Sequence, residues 1–546
     1  MESEQTENFN ERLSQWVSNQ GFWFQVRYSM SGSGMRGRAM FHLLRLAARL
    51  LVFLLLVAVG FWIYLMKRPG TAQFSSGFRD DVKSSLSAGE FEIRGLQHVQ
   101  GQLEIAGLAA QGGENTFFDS LEARNIRVKM SLLDGLLGVW QPGNIPISRL
   151  DVDLRAGTND PQSAAKLAET VFRKPVKAEV NSFEVASASF RWGYSERTRG
   201  AIESSSLRMQ RTGTGWRLSF SGGTFSQNWL RELEIVNLVV IAEKGGLVFE
   251  RAELKSDMGT VEFPGLRVLG GERPEIDGIV KIRGLALEHI IPPALRNFVE
   301  GSISGDFKVS GSTNSSDGIS FEGQVVMDGT DLISLRERIH LLKALSVVDY
   351  SRNYHRVDFR EGSFFIKTQR GGIQISEIDL KSEDLFTLQG AFAVRLPTQQ
   401  EIDEAMAKGA ELSPLFAVDD ESDDLLKPSS SSDSDFTLRR AAQEARRIQE
   451  GKQSPESLTL FDRLGLSIEM RRLQSQAAER MSRMLRYDGS VLITIPGDAF
   501  ERAPRLQELY PADPASGRVA IRVPLQGHIY ELTLRQAEDI YQQGQR

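Results

Sequence analysis

Arg149 to Leu154 reads RLDVDL, inside the longer stretch ISRLDVDLRAG from Ile147 to Gly157. Successive side chains of an extended chain point to opposite faces, so Leu150, Val152 and Leu154 share one side and Asp151 and Asp153 the other. The pattern predicts a strand with one apolar face and one solvated face, on which water alone accounts for the two carboxylates. The same period of two occurs upstream at Phe91/Ile93, Leu103/Ile105 and Ile126/Val128/Met130. Downstream it returns at Leu218/Phe220, Leu233/Ile235, Leu238/Val240, Leu247/Phe249, Ile373/Ile375, Ile378/Leu380, Phe386/Leu388 and Phe392/Val394/Leu396. Between about Gly89 and Pro397 these runs are separated by Gly, Asn, Asp or Ser, the punctuation expected of turns between short strands. Buried parallel strands would be apolar throughout, so the expectation is a mainly β chain built on a long, curled antiparallel sheet.

A few helical inserts interrupt the pattern. Gln162 to Lys174 ends at Pro175, Ser334 to Val348 opens with a Ser334/Glu337 capping box, and Pro292 to Val299 suits a shorter helix. A different kind of segment precedes the strands. Leu50 to Met66 reads LLVFLLLVAVGFWIYLM, an uncharged run just long enough to cross a ~30 Å hydrocarbon core as a helix. Arg36, Arg38, Arg45 and Arg49 before it, against Lys67 and Arg68 after it, predict a cytoplasmic N-terminus. A cleaved signal peptide is the other reading, but residues 1–49 are far longer than a normal charged n-region. The domain expectation is a tail at 1–49, a single transmembrane helix at 50–66 and a β domain at 67–410 beyond the membrane. An acidic, serine-rich linker at 411–436, a helical segment at 437–486 and a closing β segment at 487–546 follow.

Composition excludes several function classes. The chain has 546 residues and a net charge of −6, so no basic field invites nucleic acid. Cysteine is absent, which removes disulfides, thiolate metal sites and cysteine nucleophiles. His42, His98, His289, His340, His355 and His528 are widely separated without metal-ligand spacing, so no metal and no cofactor is expected. Gly32 to Gly37 matches G-x-G-x-x-G, yet the apolar run begins too soon for a βαβ unit to form around it. Ser163 to Lys166 matches S-x-x-K without the S-D-N and K-T-G partners of that site, and the serine stands where a helix is capped. No residue is predicted to be catalytic.

The stretch Leu121 to Gly157, LEARNIRVKMSLLDGLLGVWQPGNIPISRLDVDLRAG, resembles the N-terminal repeat of AsmA-like proteins, in which a strand is followed by a short helical turn and a second strand. Glu184–Tyr194, Leu285–Ser312 and Val519–Leu534 are similar to later segments of that family. The resemblance implies an inner-membrane protein with one N-terminal anchor and a periplasmic β-groove, related to TamB-like and chorein-type proteins that conduct phospholipid between membranes. The chain departs from the family in being short beside its bridging members and in carrying the acidic linker and helical segment before its last strands.

Physical reasoning from the strands reaches a similar place. Some 20 to 25 strands side by side at ~4.8 Å make a ribbon of roughly 100 to 120 Å, and such a sheet must curl. Curled with the apolar face inward, it becomes a trough for acyl chains. The lining then includes Leu150, Val152, Leu154, Phe220, Val240, Phe249, Phe386, Leu388, Phe392 and Val394. The same alternation also suits a sandwich in which two sheets bury each other. The expected function is a non-enzymatic holder or conductor of phospholipid for outer-membrane biogenesis, anchored in the inner membrane. The alternative is an envelope scaffold that docks a partner protein through its β domain or through the amphipathic helix at Leu458 to Leu485.

Overall fold

The structure, a computed structural model, describes residues 72–129, 140–155, 178–193, 200–401 and 485–544 apart from short internal stretches, together with Leu460, Phe461, Leu464 and scattered positions up to residue 61. It divides into two units, Met1–Ser76 and Gly77–Arg546. In the first, residues 50–61 of the apolar run are helical with exposed side chains, and Trp62–Met66 lie outside the described residues. Among the described residues no helix is long and apolar enough to cross a membrane. Helix α1 (Ala72–Leu86) leads into the strands.

The second unit is mainly β, and its described residues form one sheet of twenty strands. The first five are β1 (Ala88–Val99), β2 (Gln102–Gly112), β3 (Phe118–Lys129), β4 (Trp140–Leu154) and β5 (Ala178–Trp192). Next come β6 (Gly200–Thr212), β7 (Gly215–Ser221), β8 (Thr224–Gln227), β9 (Leu230–Glu243), β10 (Gly246–Lys255), β11 (Thr260–Glu262) and β12 (Arg267–Leu269). The remainder are β13 (Ile276–Ala286), β14 (Val299–Gly311), β15 (Ile319–Arg336), β16 (Arg356–Gln369), β17 (Gly372–Ser382), β18 (Phe386–Arg395), β19 (Arg486–Pro496) and β20 (Arg518–His528). Strands β7 and β8 lie end to end between β6 and β9, and β11 and β12 between β10 and β13. Twenty strands therefore make eighteen rungs, about 80 Å of ribbon at ~4.8 Å each, shorter than the sequence expectation. Among the described residues β1 pairs only with β2 and β20 only with β19, so both edges are open.

Among the described residues every strand pairing but one is antiparallel. Strands β4 and β5 are parallel, which corrects the expectation of a purely antiparallel sheet. Parallel neighbours need a crossover of a dozen or more residues, and the chain between Leu154 and Ala178 supplies that length. The helix expected at Gln162–Lys174 falls there and lies outside the described residues.

The apolar face stays continuous because the strands change phase partway along. Ile105 and Leu108, Ile126 and Ala123, Val185 and Ala188, Ile235 and Leu238, and Ile282 and Leu285 are all buried, yet each pair is spaced by three residues where a regular strand allows two. Asn125 at φ 51° and Glu377 at φ 52° sit at such phase changes, a left-handed conformation that costs a non-glycine residue roughly 1–2 kcal/mol. The ladder shifts between Val185 and Ala188, Phe249 and Arg251, Ile282 and Leu285, and Ile375 and Ile378. Bulges of this kind bend a strand and re-aim its side chains, so these strands keep apolar residues on the same side before and after the phase change.

The bending closes the face upon itself. The rings of Phe225 on β8 and Phe263 just after β11 lie 5.9 Å apart although three rung spacings, ~14 Å, separate their strands. Phe190 and Phe220 (5.7 Å) and Phe359 and Phe386 (5.9 Å) meet across two rungs. Such convergence requires the apolar face to be concave. At the far end helix α2 (His340–Val348), the short helix α3 (Pro504–Leu509) and helix α4 (Leu534–Gly544) pack beside it.

Two helix expectations change. Strand β15 runs on to Arg336, and α2 begins only at His340 with Ile339 as an N-cap that has no side-chain bond. The Ser334/Glu337 capping box does not form, because Ser334 is fully buried in the ladder opposite Asp358 and donates its hydroxyl to that carboxylate at 2.5 Å. Around Pro292–Val299 the described residues form turns, with Leu295 N–H donating to Pro292 and Phe298 N–H to Leu295, and Val299 already belongs to β14.

Candidate functional site: an apolar cavity against the last eight strands

Within the concave face lies a cavity of about 430 Å³, inside the ~300–1,000 Å³ range of small-molecule sites. Its wall takes side chains from β13 through β20, from Ile282 and Phe307 to Val523 and Leu525, and is closed by Leu341 and Leu342 of α2 and by Leu532 and Thr533 before α4. The end wall is itself held in place. Thr533 accepts the Leu341 N–H at 3.2 Å, and Gly544 lies close against Val348.

The ten residues read from the sequence as a lining divide between two places. Phe386, Leu388, Phe392 and Val394 all border the cavity, brought together on β18. Gly390, at φ 137° and opposite Val491, separates the two pairs. The other six lie along the same face, on the earlier strands. Val152 is buried with Ala88, Ala110 and Phe118, and Leu150 and Leu154 pack against that cluster. Phe220 pairs with Leu238, and Phe249 with Val240. These side chains fill one another's space.

The opposite face of the first strands is not the solvated surface that Asp151 and Asp153 suggested. Both carboxylates are buried, and the cause is a cross-strand lattice of charges. One row reads Glu92, Ala109, Glu122, Asp151, Ser189, and the adjacent row Arg94, Gly107, Arg124, Arg149, Ser187. Arg149 donates to Asp151 at 2.7 Å and Arg124 to Glu122 at 2.6 Å, Arg191 lies 3.5 Å from Asp153, and Ser120 donates to Asp153. The bond to Asp151 also raises the pKa of Arg149 above the ordinary arginine value.

Where the two rows carry no charged side chain, at Gly107 and the small Ala109, three helical residues from late in the chain are seated. Leu460 and Leu464 are buried on Ala109, and Arg94 stacks 4.1 Å from the centre of the Phe461 ring. Leu460 donates its N–H to Glu92 at 3.1 Å. The apolar stripe predicted for this segment thus rests, at its described positions, on the chain's own sheet. The remainder of 437–486 and the linker at 411–436 lie outside the described residues, apart from Leu485 and Arg486.

The polar groups of the cavity wall are mostly engaged. Thr368 accepts the Phe321 N–H at 2.8 Å. Arg395 grips Glu401 with two bonds of 2.8 Å, and these hold the Glu401 carboxyl well below the usual range. Tyr487, on β19 opposite Val394, differs. Its hydroxyl is buried without a hydrogen-bond partner among the described residues, its ring lies 6.3 Å from Phe392, and burial pushes its pKa far above that of a free phenol. An unpaired buried hydroxyl costs about 1–3 kcal/mol, so this position works against the stability of the fold. Sequence reasoning passed over Tyr487 because the residue simply continues an alternating run, DGSVLITIPG following it.

A second, polar cavity of about 990 Å³ lies near the ends of β16 and β19 and includes Arg352, Arg356, Arg360 and Arg518. Two of these arginines are committed within the fold. Arg352 bridges Asp349 (3.0 Å) and Asp498 (2.6 Å), and Arg356 pairs with Asp358 at 2.8 Å.

No protein-family model, curated protein or solved structure matches this chain.

Proposed function

We propose that this chain is an AsmA-like, non-enzymatic envelope protein that holds or conducts phospholipid along its concave apolar face. In this reading Leu50–Met66 anchors it in the inner membrane, and the β domain works in the periplasm toward outer-membrane biogenesis. The observation that carries the reading is the cavity at one end of the apolar face, walled almost wholly by hydrocarbon. Each methylene kept from water there is worth ~0.8 kcal/mol, about what the same methylene loses on leaving a bilayer. Such near balance lets an acyl chain enter and move on without being trapped.

The test is photo-crosslinking in cells. A photoreactive residue at Leu388 or Phe392 should capture phospholipid, whereas one at the exposed neighbour Gln389 should not. Absence of a lipid adduct at Leu388, Phe392, Val152, Phe220 and Phe249 alike, with the protein folded and abundant, overturns the proposal.

A further inference from the structure

One of the residues bordering the cavity has a polar group that the fold leaves unused. Tyr487 is 6% exposed, and its hydroxyl has no hydrogen-bond partner among the described residues. Phenylalanine would fill the same place beside Phe392 without an orphaned donor, so packing alone does not account for a tyrosine here. The other polar atoms narrow what the hydroxyl can meet. The Arg395 charge is already matched by Glu401, while Thr368 and Thr533 are bonded to backbone. A carboxylate or phosphate brought to Tyr487 would thus be buried beside an arginine, Arg395, whose charge Glu401 already matches, whereas an uncharged acceptor oxygen brings no charge to be matched. Arg338, also in the wall, is exposed and has no ion pair among the described residues, so a charged headgroup is better placed toward it.

We propose that the cavity is an acyl-ester subsite, in which hydrocarbon fills the apolar volume and Tyr487 donates its hydroxyl proton to the ester carbonyl. This rests on the lipid-holding reading above and makes it specific, because it distinguishes an acyl ester from a free fatty acid. Glycerophospholipids and neutral glycerides share that ester, and Arg338 offers a means of telling them apart.

The experiment uses the full chain and three single-chain probes below their micelle concentrations: 1-monopalmitoylglycerol, 1-palmitoyl-lysophosphatidylglycerol and palmitate. Both esters should bind the wild type more tightly than palmitate. Tyr487→Phe should weaken both esters by roughly fivefold, the worth of one neutral hydrogen bond, and leave palmitate unchanged. With a ¹³C-labelled carbonyl, the infrared band of the bound ester should be shifted to lower frequency in the wild type and return toward its unbonded position in Tyr487→Phe. A merely structural tyrosine would not move that band. A preference for the phosphate-bearing ester that Arg338→Gln abolishes supports a phospholipid as the source, and equal binding of the two esters supports a glyceride. Ester binding that Tyr487→Phe leaves untouched, or palmitate bound as tightly as the esters, overturns the subsite while leaving the lipid reading standing. Failure of all three probes to bind the wild type removes both.

Discussion

Strands β1–β12 and β13–β20 carry the same alternation but use it differently. In the first region the apolar side chains meet one another, as Phe225 and Phe263 do across three rungs, and the outer face is sealed by ion pairs and by Leu460 and Leu464. In the second, α2 and the residues before α4 stand across the face and leave a cavity of about 430 Å³. The difference teaches that alternation chooses which side of a strand is apolar, while the neighbours that approach that side decide whether it becomes core or container.

The largest test of that contrast is a pair of truncations. Leu233, fully buried on β9, should cost about 3–4 kcal/mol as Leu233→Ala, whereas Leu388→Ala should cost under about 2 kcal/mol because part of its side chain already borders empty space. Equal losses in denaturant melts would erase the distinction between packed and hollow regions. A smaller effect sharpens the account of the outer face. Asp151→Ala should destabilise by about 2 kcal/mol, since Arg149 and Arg191 lose a buried partner but keep some access to water. A loss below about 0.5 kcal/mol would return Asp151 to the solvated role that its sequence suggested.

The smallest expected effect concerns pH in the second region. Asp349 is buried against α2 and accepts hydrogen bonds from Ser351, Arg352 and Tyr354 at 2.6, 3.0 and 2.9 Å. Its burial alone would raise its pKa, but these three donors together hold it below the ordinary value. A carboxyl whose folded pKa is depressed binds fewer protons folded than unfolded. Its contribution is therefore present above the unfolded value of about 4 and disappears as the pH falls through the folded one. Asp349→Asn should flatten the stability curve below about pH 4, and an unchanged curve would remove Asp349 from the account.

Much of the architecture is legible in the sequence for a simple reason. A strand's two faces are set by local geometry, so RLDVDL and its counterparts announce their apolar sides before any partner is known. Phe386, Leu388, Phe392 and Val394 could be named from alternation and share the cavity wall. Register is less legible. The phase changes at Asn125, Glu377 and between Val185 and Ala188 arise from bulges that depend on the neighbouring strand as well as on local sequence. Ser334 illustrates the same limit, since its capping pattern is overridden by a ladder partner from 24 residues away.

The sequence by itself determined that this chain is mainly β, with one face of each strand apolar, because period-two patterning requires no long-range information. Only the tertiary structure decided that β4 and β5 run parallel, that Asp151 is buried, and that Tyr487 borders a cavity with its hydroxyl unpaired among the described residues. Each of those facts depends on which distant segment arrives next to a residue, and burial and hydrogen-bond satisfaction are properties of that encounter.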